Sequence, residues 1–64
     1  MVNKYKISKK DKLTKIYGIE NKNQAWYILS ASIGLDNEKI INQVINLSTN
    51  NFILHNGFKI EKIQ

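Results

Sequence analysis

Apolar positions recur along the chain at two spacings: every second residue near both ends, every third or fourth in the middle. "NKYKIS" (3–8) alternates polar and apolar residues, which predicts a half-buried strand with Tyr5 and Ile7 inward. "KKDK" supplies a turn, and "LTKIYGI" (13–19) returns as a second strand. With Ser8 facing Leu13 across that turn, Tyr5 pairs with Ile16 and Ile7 with Thr14. The opposite face then carries Lys4, Lys6, Lys15 and Tyr17, and a slip of one residue would exchange the two faces. At the other end, Asn56-Gly57 separates two strand-like runs, and this dipeptide favours a type I′ turn. A tight hairpin is expected over 52–63, pairing His55 with Phe58 and Ile53 with Ile60. Phe52 and Leu54 fall on its other side with Lys59, Glu61 and Ile63. Neither side is cleanly polar, so the hairpin is expected either to pack on both sides or to contain a bulge.

Between the hairpins the rhythm is helical. Asn21 is placed to cap a helix over 22–33, with Gln24 completing a capping box. Ala25, Trp26, Ile28, Leu29 and Ile33 sit at core spacing on it, and Trp26 reads as a core anchor. Gly34 ends this helix at no steric cost, and Asp36 is the expected cap of a second helix over 37–48. Leu29, Ser30, Ile33 and Leu35 around Gly34 fit a helix-turn-helix, whose crossing helices need a small residue such as Ser30. Ile40 takes the usual inward position, whereas Gln43 stands where an aliphatic residue is usual, with Val44 beside it. A short helical hairpin with a glycine bend shares the same pattern. On a helical wheel Ile40, Ile41, Val44, Ile45 and Leu47 span roughly 160°. Glu38, Lys39, Asn42, Gln43, Asn46 and Thr49 remain on the polar side.

Composition narrows what these elements can do. Sixty-four residues suit one domain, 1–64, near the lower limit for folding without disulfides, metals or a partner. The chain has no cysteine, hence no disulfide framework and no thiolate metal site. No apolar run approaches the roughly 20 residues of a membrane span, so a cytoplasmic protein with no membrane partner is expected. All ten basic residues are lysines, the formal charge is +5, and Lys4, Lys6, Lys9, Lys10, Lys12 and Lys15 crowd the first fifteen positions. That concentration implies an anionic partner, either nucleic acid or an acidic protein surface, unless it is simply a solubilising face. Nine asparagines, eleven isoleucines and no arginine or proline match the codon bias of an AT-rich genome. Catalysis needs converging groups, and the chain offers one histidine, His55, beside a hairpin turn. With no glycine-rich phosphate loop, paired carboxylate motif or metal spacing, a non-enzyme is expected, without cofactor, metal or small-molecule ligand.

The layout of strand, strand, helix, turn, helix and closing hairpin, carried by "KYKI", "LSASIGLD" and "NGFKIEKI", resembles a known family. It is similar to small winged helix-turn-helix proteins of phages and mobile elements of AT-rich, low-GC bacteria. It also looks like short DNA-binding modules appended to some homing endonucleases and, more distantly, like excisionases. The resemblance implies an α+β, winged helix-turn-helix-like fold with an N-terminal β-hairpin, two helices and a C-terminal β-hairpin wing. It further implies double-stranded DNA binding through the second helix, with the wing on the backbone or in an adjacent groove. Asn42, Gln43 and Asn46 are chemically able to read AT-rich bases, and Lys39 with the six N-terminal lysines can neutralise phosphates. The chain departs from the family in carrying Ile41 and Ile45 on that helix. Those two residues suggest a homodimer seam or, in a different class of function, an inhibitor or adaptor that binds a host nucleic-acid enzyme or defence complex.

Overall fold

Asn56 and Gly57 both adopt positive φ, +50° and +82°, the backbone that a type I′ turn demands. They join β3 (Phe52–His55) to β4 (Phe58–Lys62), with Ile53 opposite Ile60 and His55 opposite Phe58 as expected. The computed structural model that shows this describes residues 3–10 and 14–64. A second hairpin is formed by β1 (Asn3–Lys9) and β2 (Lys15–Ile19). Its register differs by one residue from the expected one: Tyr5 pairs with Tyr17, Lys6 with Ile16 and Ile7 with Lys15. Lys15 and Tyr17 therefore share a face with Tyr5 and Ile7, and Ile16 moves to the face of Lys4 and Lys6. The expected Ser8–Leu13 pair lies outside the described residues.

β1 also pairs with β4, Ile7 opposite Ile60, so the two hairpins fuse into one antiparallel sheet ordered β2-β1-β4-β3. Both helices lie on the Tyr5–Ile7–Ile60 side. Their buried residues Ala25, Leu29, Ile41 and Val44, with Leu35 from the turn between them, close one core with Tyr5, Ile7, Ile19 and Ile60. The C-terminal hairpin thus packs on its helix side only and contains no bulge in its register. Burial pushes the Tyr5 phenol above its ordinary value of 10, because ionising it would place charge in the core.

Local chemistry sets the helix ends. α1 (Lys22–Ile33) starts at Asn21, whose Oδ1 accepts from the Gln24 N–H at 2.8 Å. Gln24 Oε1 reaches back to the Glu20 N–H at 2.6 Å, one residue earlier than a standard capping box. Gly34 takes φ +69°, its N–H donates to the Ser30 carbonyl, and the Leu35 N–H donates to the Leu29 carbonyl, each at 3.1 Å. Ser30 is small enough for the crossing, and its hydroxyl also donates across the turn to the Leu35 carbonyl at 3.1 Å.

α2 (Glu38–Ile45) is shorter than expected and is capped by Asn37 rather than Asp36. Asn37 Oδ1 accepts the Ile40 N–H at 3.2 Å, while Asp36 accepts from Trp26 Nε1 at 2.8 Å. Trp26 is accordingly half-buried, packed on the core with its indole tied to the turn. The inward positions are Ile41 and Val44, which lose all solvent exposure, rather than Ile40 and Gln43. Ile40, Ile45 and Leu47 pack against the core from its margins.

Candidate nucleic-acid interface

With Ile41 and Val44 fixed against the core, helical geometry determines what α2 shows to the outside. At about 100° per residue, Lys39 and Asn46 point directly away from the core, with Asn42 and Gln43 flanking them about 50° to either side. Lys39, Gln43 and Asn46 are exposed, whereas Asn42 is half-buried. Asn46 also ends the helix: its N–H donates to the Asn42 carbonyl and the Leu47 N–H to the Val44 carbonyl, each at 3.1 Å.

Glu38 stands beside this face and is held at 3.0 Å by the ammonium of Lys22, from the first turn of α1. Both partners are well exposed, so the pair adds little stability, but it offsets the one carboxylate on the outward side of α2. Sequence reasoning did not select Lys22. The pair bridges 16 positions across the Gly34 bend, and no local spacing announces it.

The N-terminal lysines do not form one patch. Lys4 and Lys6 project from the face of the sheet that the helices leave uncovered, pointing away from α2 through the thickness of the molecule. Lys9 and Lys15 project on the helix side. The Lys9 ammonium lies 4.7 Å from the centre of the Phe58 ring. Lys15 is exposed at the rim of a groove of about 450 Å³ between β2 and α1, with Tyr17, Tyr27 and Ile28 along its walls. Lys10 is exposed in the turn after β1, and Lys12 lies outside the described residues. A cationic hairpin face carrying all these lysines is thus corrected to two groups, divided by the register of β1 and β2.

Of the two isoleucines expected at a partner surface, Ile41 is corrected to a core residue without exposure, and Ile45 is half-buried beneath the margin of α2. A seam made by this pair is not available on the folded domain. His55 faces the helix side at the end of β3, its Nε2 3.2 Å from the Asn56 side-chain nitrogen. Among the described residues no group of three His, Cys, Asp or Glu side chains is placed to hold a metal ion, and no helix is long and apolar enough to cross a membrane. No protein-family model, curated protein or solved structure matches the chain.

Proposed function

We propose that the chain is a small DNA-binding regulator or accessory factor of a phage or other mobile element, built as a winged helix-turn-helix-like domain. In this reading α1, the Gly34 bend and α2 are the helix-turn-helix, α2 enters the major groove, and the β3–β4 hairpin takes the place of the wing. The observation that carries it is the polar outward face of α2, with Lys39, Gln43 and Asn46 exposed opposite the buried Ile41–Val44 edge. Asparagine and glutamine amides can donate to adenine N7 while accepting from N6, worth about 1–3 kcal/mol of discrimination per good pair. The chain has no arginine, hence no planar fork for guanine, which favours AT-rich sites. An eight-residue α2 is about 12 Å long, enough to span a few base pairs of a groove of about that width. The alternative reading, a protein-binding inhibitor, loses its hot spot with the burial of Ile41.

The division of the lysines makes a quantitative test. Lys9, Lys15, Lys39 and Lys62 lie on the helix side, with Lys22 held by Glu38, so duplex binding should release counterions from about four phosphates, a log–log salt slope of about −3.6. In fluorescence anisotropy with an AT-rich duplex, Lys39→Ala is expected to make that slope shallower by about one unit. The pair Lys4→Ala and Lys6→Ala should change it by only a few tenths. Absence of duplex binding at low salt would remove the proposal, and an equal loss from both sets of variants would remove the assignment to α2.

A further inference from the structure

The uncovered face of the sheet carries three of the four large hydrophobic side chains that stand exposed: Ile16 at 58%, Phe52 at 51% and Leu54 at 69%. Cross-strand register places the residues of this face in rows. The middle row, read from β2 to β3, is Ile16–Lys6–Glu61–Phe52. On one side of it runs Ser8–Lys59–Leu54, and on the other Gly18–Lys4, continued by Ile63, whose N–H donates to the Lys4 carbonyl at 2.9 Å. Among the described residues nothing covers these rows.

The middle row is complementary to its own reversal. A two-fold axis parallel to the strands and midway between β1 and β4 lays the face on a second copy with every row reversed. Ile16 then meets Phe52 of the second copy, Lys6 meets its Glu61, and the same two contacts repeat in the other direction. Lys59 falls over Ser8 and Lys4 over Ile63, so no lysine opposes a lysine although the chain carries +5. We propose that the chain forms a two-fold dimer through this face, giving four layers with the sheets inside and the helices outside. A closed two-fold contact requires this self-complementarity. Aligned sheets cross at about −30°, so the match is best near the axis, where Lys6 and Glu61 stand.

A nucleic-acid strand fits the same face less well. Glu61 sits in the middle row and repels phosphate, and the Lys59 ammonium already lies 4.7 Å from the Phe52 ring centre and 3.9 Å from Glu61. Four strands at about 4.8 Å and five residues at about 3.3 Å make roughly 300 Å² of flat face per copy. Side-chain relief brings the total burial towards roughly 1,000 Å², the lower end of specific association, so a dissociation constant of about 10–300 µM is expected. In a consequence that rests on the DNA-binding reading, the two α2 faces point in opposite directions, and one dimer holds two duplex segments rather than neighbouring turns of one.

A charge exchange between chains tests the dimer independently of DNA. In sedimentation velocity from about 10 µM to about 1 mM, the wild-type average mass should rise from one chain towards two. Lys6→Glu and Glu61→Lys should each weaken self-association at least roughly tenfold, whereas an equimolar mixture should associate again, because each variant then faces its opposite charge. Mixing rescues only a contact between chains, so recovery excludes a folding defect. Leu54→Glu, at an exposed edge position, is expected to weaken association by roughly tenfold while circular dichroism stays unchanged. A constant monomer mass up to about 1 mM overturns the proposal. So does a mixture no heavier than its separate components, or a single-stranded oligonucleotide that perturbs this face of a purely monomeric protein.

Discussion

Ile41→Ser should leave most of the protein unfolded at 25 °C. Ile41 sits without solvent exposure where α2 meets the sheet and α1. Removing most of such a side chain costs about 2–5 kcal/mol, and the hydroxyl that replaces it is buried without a partner for about 1–3 kcal/mol more. A domain this small has roughly 3–5 kcal/mol in total. Ile45→Ser, at the half-buried margin, should cost about 1 kcal/mol and keep a cooperative transition. Urea unfolding followed by circular dichroism separates the two. An Ile41→Ser protein with a wild-type midpoint would show that α2 is not packed through this residue.

Gly34→Val should lower the melting temperature by roughly 5–15 °C, with Gly34→Asn losing about half as much. The residue holds φ +69°, a region that costs an L-residue about 1–2 kcal/mol and a β-branched one most. A Cβ at this position would meet no atom within 4 Å, so the cost is conformational and not a clash. Asparagine tolerates the left-handed region better than other side chains, which sets the order valine, alanine, asparagine from worst to best. The same bend aims α2, so the duplex affinity of the folded variants should fall in that order. Scanning calorimetry checks the stabilities; equal melting temperatures for valine and glycine would mean that the left-handed bend is absent in solution.

What could be read from the chain was local. The Asn56-Gly57 turn fixes its own register through positive φ at both positions, and Asn21 and Gly34 fix the ends of α1 through bonds within a few residues. The first hairpin has no such dipeptide in "KKDK", and the alternation in "KYKI" and "KIYGI" is satisfied by two registers. The choice between them is made at a distance, where Ile19 and Tyr17 pack with Tyr5 under the helices. The pairing of β1 with β4 joins segments about fifty residues apart and leaves no trace in either segment. Asp36 and Asn37 are both good caps, and the bond from Trp26 to Asp36 accompanies a start at Asn37. The polar face of α2 was legible because its asparagines and glutamine follow the helical period, but its separation from Lys4 and Lys6 was not, because it depends on the register of the sheet.

Contact between the outward face of α2 and duplex DNA is read residue by residue through amide mapping by nuclear magnetic resonance. An AT-rich duplex titrated into labelled protein at fixed protein concentration should shift the backbone signals of residues 38–46 and the side-chain amides of Asn42, Gln43 and Asn46. Signals of Lys4, Lys6, Phe52 and Leu54 should stay in place. Shifts confined to those sheet residues, with α2 unmoved, would mean that DNA is not bound through α2.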